Sequence, residues 1–99
     1  MMNFYKLVKA TDGKHKYTII FKNEEGKEKK ISFGAFGYED YTIHKDDKRK
    51  ESYIARHEKR EDWNDPFSKG ALSRYILWNK KTLKESLDDY LKRFKINKL

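Results

Sequence analysis

His44 to Trp63 reads HKDDKRKESYIARHEKREDW. The stretch has no Gly or Pro and is mostly charged. Asp46 or Asp47 can cap its start, so the pattern predicts a helix over residues 46–61. With successive side chains about 100° apart, Lys45, Lys48, Arg49, Arg56, Lys59 and Arg60 fall within about a third of the circle. Glu51, Asp47, Glu58, Glu61 and Asp62 fall on the far side, with Tyr53, Ile54 and His57 between the two sets. Such a helix is either a solvated surface laced with salt bridges or an edge that binds phosphate.

Upstream, the pattern changes to period two. Asn3 to Thr11 predicts a strand, and Asp12-Gly13 after it signals a tight hairpin turn. Lys16 to Lys22 alternates, with Tyr17, Ile19 and Phe21 on one face. Glu25-Gly26 marks a second turn. Lys29 to Phe36 predicts a third strand with Ile31, Phe33 and Ala35 on one face. The three strands form an antiparallel meander whose apolar face needs a helical cover. Its other face should show Lys16, Thr18, Lys22, Lys30 and Ser32. Gly34 and Gly37 fit no phosphate-loop spacing and are expected to bend the strand end.

Downstream, Asn64-Asp65-Pro66 breaks the central helix. Ser68 can cap a short helix over residues 69–78, with Leu72, Tyr75 and Ile76 on one stripe. Thr82 and Glu85 form a capping-box pair before the last helix. Leu83, Leu87, Tyr90, Leu91 and Phe94 occupy about 100° of that helix, a core-facing stripe. The expected architecture is therefore α+β: a three-stranded antiparallel β-meander (residues 1–37), then three α-helices packed on one face (residues 38–99). All of it forms a single domain over residues 1–99.

Composition narrows the function. The chain of 99 residues is 40% charged and only 36% hydrophobic, a polarity that on its own would predict disorder. Its 15% aromatic content argues instead for a compact core. With no Cys, disulfides and thiolate chemistry are excluded. No apolar run reaches the ~20 residues that span a bilayer, and no signal-peptide segment is visible, so a soluble intracellular protein without membrane contact is expected. Net charge is +8. Residues 1–37 carry +4, residues 38–67 carry −2 and residues 68–99 carry +6, so the excess sits at the two ends. That balance favours a polyanionic partner through steering and counterion release.

A set of residues in the second half carries a resemblance. It comprises His44-Lys45-Asp46, Arg49-Lys50, Tyr53-Ile54-Ala55-Arg56-His57 and Glu61-Asp62-Trp63, then Gly70, Ser73-Arg74, Leu77-Trp78-Asn79-Lys80, Thr82 to Ser86 and Arg93-Phe94. In order and spacing, Tyr41 to Phe94 resembles a family of short, largely uncharacterised proteins of nucleocytoplasmic large DNA viruses, the giant viruses. The sheet matches that family less distinctly. Tyr75 stands where the family often has Trp, and Lys81 where a Pro is common. The resemblance carries over no catalytic residue. It implies a viral factory in the host cytoplasm and the virion as the setting.

Catalytic patterns are weak. His57 and Glu61 share a helical face, but the second His that a metalloprotease helix requires is missing. His57 is better placed to pack beside Tyr53, and no metal or cofactor is expected. His44-Lys45-Asp46 is contiguous and lacks the spacing of phospholipase D-like enzymes, and the GIY-YIG nuclease signature is absent. The expectation is a binding protein rather than an enzyme. Basic residues interleaved with aromatics are the stronger signal. Lys45, Lys48, Arg49, Arg56, Lys59 and Arg60 make the row, which Arg74, Lys80 and Lys81 near Trp78 can extend. Arg suits phosphate through its planar fork, although Arg56 and Arg74 can equally serve structural ion pairs. No helix offers a set of base-reading residues. The first expectation is therefore binding of double-stranded DNA with little sequence preference, in genome compaction or packaging. The alternative is a structural or adaptor protein that uses the same charge-polarised helix on other virion proteins.

Overall fold

Three strands pair antiparallel in the order β1-β2-β3 in the computed structural model, which describes residues 1–99. They are β1 (Asn3–Lys9), β2 (His15–Lys22) and β3 (Glu28–Ala35). The apolar pattern of NFYKLVK does not suit a plain strand, because Phe4 and Leu7 are three apart. A β-bulge reconciles them. Phe4 lies opposite Phe21 and Lys6 opposite Ile20, so Tyr5 is the extra residue and Phe4 and Leu7 share a face. On the central strand, Ile19 and Phe21 are fully buried, as their alternation predicts.

The turns are longer than their sequences suggest. Asp12-Gly13 does not make a two-residue turn; residues 10–14 form a loop closed by Ala10 N–H to Lys16 O at 3.0 Å. The Asp12 carboxylate accepts from the amides of Lys14 and His15, both at 2.9 Å, which wraps the loop around one side chain. His15 Nδ1 also lies 2.6 Å from Asp12 Oδ2, and these bonds together hold that carboxyl well below its usual range. Asn23 organises the second loop in the same way, accepting from the amides of Glu25 and Lys27.

The helical half begins one turn earlier than expected. The short helix α1 (Tyr41–His44) is capped by Asp40, which accepts from Thr42 N–H at 2.9 Å. Next comes α2 (Asp47–His57), capped by Asp46, which accepts from the amides of Lys48 and Arg49. It stops four residues short of the predicted end, where the chain turns with Arg60 N–H on His57 O at 3.0 Å. Ser68 caps α3 (Lys69–Leu72), its hydroxyl accepting from Ala71 N–H at 3.1 Å. That helix runs directly into a π-helical segment, Ser73–Leu77, which ends with Trp78 N–H on Ser73 O at 3.0 Å. The last helix is α4 (Leu83–Arg93), with Thr82 Oγ1 accepting from Glu85 N–H and donating to the Glu85 carboxylate. No helix is long and apolar enough to cross a membrane.

One buried cluster joins Phe4, Ile19, Phe21 and Phe33 of the sheet to Leu72, Ile76 and Leu77 of the α3 region and to Tyr90 and Leu91 of α4. Tyr90 crosses this core and donates to Pro66 O at 2.6 Å, and burial pushes its phenol pKa up. The core gives two substitutions of the same kind with different expected costs. Leu72 is 0% exposed, so Leu72→Ala should cost about 2–5 kcal/mol. Leu87 is only half-buried, beside Phe4 and Leu7, and Leu87→Ala should cost distinctly less. Urea melts of the two variants measure the difference, and equal losses would contradict this placement of the core.

Candidate functional site

A cleft of about 910 Å³ lies between the start of β2 with the end of β3, α2 and the start of α3. Lys14, Lys16, Phe33 and Gly34 line it from the sheet, and Tyr38, Glu39 and Asp40 from the loop after β3. Lys48, Arg49, Ser52, Tyr53 and Arg56 line it from α2. Lys69, Gly70, Ser73, Leu77 and Trp78 close the remaining side. Gly34 has φ +79°, and a Cβ there would stand 2.8 Å from Leu77 Cδ1, so only Gly lets the π segment approach the sheet this closely.

Aromatic rings form one wall. Tyr53 lies flat on Trp78, with centroids 4.3 Å apart and planes 4° apart. His57 stacks on Tyr53 at 4.2 Å, and His44 lies 5.3 Å from Trp78. His57 Nδ1 is 2.9 Å from Glu61 Oε1, and Trp63 Nε1 donates to the other oxygen of that carboxylate at 2.9 Å. Burial, with help from the charge of Glu61, pushes the Tyr53 phenol pKa far up, so this ring is a neutral wall. His57 and Glu61, a pair that spacing alone might offer to a metal, thus serve each other and Trp63. The structure gathers no group of three metal-ligating side chains.

The loop carrying Tyr38 is pinned from both ends. Phe36 N–H donates to Lys14 O at 3.0 Å, and Tyr38 N–H to Ala35 O at 3.3 Å. Asp40 is 2% exposed and takes Lys16 Nζ at 2.5 Å. Lys16 therefore leaves the polar sheet face on which its alternation places it and turns into the cleft wall. A buried carboxylate demands a partner, and Lys16 supplies it while Asp40 also caps α1.

The predicted cationic row divides. Lys48, Arg49 and Arg56 face the cleft together. Lys45 does not belong to α2: it ends α1 with φ +54° and donates to Thr42 O at 3.1 Å. Lys59 and Arg60 lie in the turn after α2, exposed and outside the cleft lining. Arg74 is built into the structure. Its Nη1 donates to Trp78 O at 2.7 Å, and its guanidinium lies 5.5 Å from the Trp63 ring and 5.0 Å from the Tyr75 ring. Burial lowers its pKa. Arg74 and Lys80 sit near Lys50, whose Nζ donates to Asn79 O at 2.6 Å. Burial first, then these two charges, push the Lys50 ammonium down. Lys81 follows in the exposed loop before α4. None of Arg74, Lys80 and Lys81 lines the cleft.

Two cleft cations escape the sequence pattern. Lys14 comes from the first hairpin loop and Lys69 from the first turn of α3. Lys69 Nζ reaches His15 Nε2, 54 residues away in the chain, at 3.4 Å. No periodicity links such positions; only the fold does. Arg49 shares an exposed pair with Glu39 at 3.3 Å, while Lys14, Lys48, Arg56 and Lys69 make no ion pair.

Residues 5–57, which include most of the sheet and all of α2, match a family of unknown function, DUF5754. The chain belongs to that family. The match thus includes two of the three strands in full as well as the α2 wall of the cleft. No curated protein and no solved structure matches the chain.

The buried pair behind the cleft can be tested by a double-mutant cycle. Asp40→Ala and Lys16→Met should each cost about 3–5 kcal/mol, because each leaves one buried charge alone. The double variant should lose clearly less than the sum of the two. Additive losses in denaturant melts would show that the two side chains do not depend on each other.

Proposed function

We propose that the protein binds nucleic acid through its phosphate backbone, as double-stranded DNA with little sequence preference, in compaction or packaging of a viral genome. The observation that carries this reading is the convergence of Lys14, Lys48, Arg56 and Lys69, unpaired, with Arg49 on one cleft. Cations drawn from three separate parts of the fold, four of them left without carboxylates, suit a polyanion. Their side chains meet phosphate oxygens rather than base edges, so discrimination among sequences is weak. The reading takes the helices as a layer on one face of the sheet with the cleft at its margin. It assigns binding rather than catalysis and needs no metal or cofactor. The resemblance of Tyr41 to Phe94 to giant-virus proteins supports the virion and the viral factory of the host cytoplasm as the setting. Lys45, Lys59, Arg60, Lys80 and Lys81 are outlying charges that add long-range attraction.

A second reading is a structural or adaptor protein of the virion. It is favoured by Glu51 on α2 and Glu58 at its C-terminal cap, which are exposed and make no ion pair, and so offer a face to a basic partner.

Fluorescence anisotropy against two unrelated duplexes over a salt series separates the readings. Each phosphate neutralised contributes about 0.9 to the magnitude of the log–log salt slope. Arg49→Ala with Arg56→Ala should weaken binding to both duplexes alike and flatten that slope by about two. Glu51→Gln with Glu58→Gln should leave affinity equal or slightly higher. A double-arginine variant that keeps its circular dichroism spectrum and the wild-type slope would remove the cleft as the DNA site and favour the adaptor.

A further inference from the structure

The cleft has a feature that phosphate binding does not use. Tyr38 lines it and yet is 73% exposed, and Phe36 beside it is 65% exposed. Large aromatic rings left this open are unusual in a chain whose other rings are mostly packed. The two cannot withdraw into the core, because the loop is pinned at Phe36 N–H, at Tyr38 N–H and at the buried Asp40–Lys16 pair. Glu39, next to Tyr38, pairs with Arg49, so the ring stands beside the cationic wall of α2. The arrangement is an exposed ring, carried on a tied loop, at the lip of a basic cleft.

A duplex cannot exploit it. Its bases are stacked on one another and their faces are closed to a protein ring, whereas an unpaired base offers its face. Sequence-tolerant binding of single strands combines a cationic groove along the backbone with aromatic rings under the bases. We propose that the cleft takes an unpaired stretch of nucleic acid, with the backbone on Lys14, Lys48, Arg56 and Lys69 and a base stacked on Tyr38. The inference rests on the nucleic-acid reading above and goes beyond it: single-stranded ends or gaps are preferred over blunt duplex. Stacking accepts any base, so the preference is for unpaired structure and not for sequence.

The test uses the full chain and three labelled probes of equal length and salt: a mixed-sequence single strand, the same strand with consecutive abasic sites, and its blunt duplex. The single strand should bind tighter than the other two by about tenfold, the scale of one stacked base. Tyr38→Ala should weaken binding of the single strand by about tenfold and leave the abasic strand unchanged. Tyr38→Phe, which keeps the ring, should retain the preference. Equal affinity for all three probes would overturn the stacking inference while leaving the phosphate reading intact. No binding of any probe would overturn both. The ring is exposed and its side chain makes no hydrogen bond, so the variant should fold, which its circular dichroism spectrum checks.

Discussion

Tyr53 lying flat on Trp78 is the contact on which the rest of the site depends. The helix α2 buries only one residue, Tyr53. It has no apolar stripe with which to sit down on the sheet, and its polarity would let it dissolve away. A stacked ring pair resolves this, since each ring buries a large area on few atoms of backbone. Lys50 adds a second tie by donating to Asn79 O, one residue beyond Trp78, with its ammonium 4.7 Å from the Tyr41 ring. Held at a few points rather than along its length, α2 stands off the sheet edge. The cleft is the space that remains.

Trp78 can reach Tyr53 because of the π segment before it. Leu72, Ile76 and Leu77 are all buried, and a regular helix spaced four and five residues apart would turn Leu77 away from Leu72 by more than a quarter of the circle. Widening the turn brings both Ile76 and Leu77 inward and rotates Trp78 out toward α2. Arg74 then caps the widened end by donating to Trp78 O. The cost of irregular helix is offset by a packing that serves the core and the aromatic wall at once, as is common for π turns next to sites.

Period-two alternation in β2 and the caps at Asp46, Ser68 and Thr82 were legible because each depends on residues within a few positions of one another. The bulge at Tyr5 was not read, although Phe4 and Leu7 on either side of it hinted at one. The early end of α2 was illegible for a different reason. No Gly or Pro marks it; Glu61 is instead drawn into bonds with His57 and Trp63, a choice made by tertiary contact. The wheel correctly grouped Lys48, Arg49 and Arg56, which share α2. It added Lys59 and Arg60 by assuming that the helix runs on to residue 61, and Lys45 by carrying the wheel one residue ahead of the predicted start. It could not supply Lys14, Lys69 or Tyr38, whose meeting is a property of the folded chain alone.

That last point bears on energetics as well as on reading. The cleft cations are separated in the chain and come together only when the sheet, α2 and α3 assemble. Their mutual repulsion works against the fold, and among the cleft cations only Lys16 and Arg49 have acidic partners to relieve it. An anion that fills the cleft removes this repulsion in the folded state and finds no such cluster in the unfolded chain. Ligand binding and stability are therefore linked, and the folded state gains more as free ligand rises above its dissociation constant. Asp40 meets the same problem from the other side: it neutralises Lys16 in the cleft wall, while Lys14, Lys48, Arg56 and Lys69 make no ion pair. One basic surface thus divides between a buried, paired lysine that builds the wall and open, unpaired ones that face the cleft.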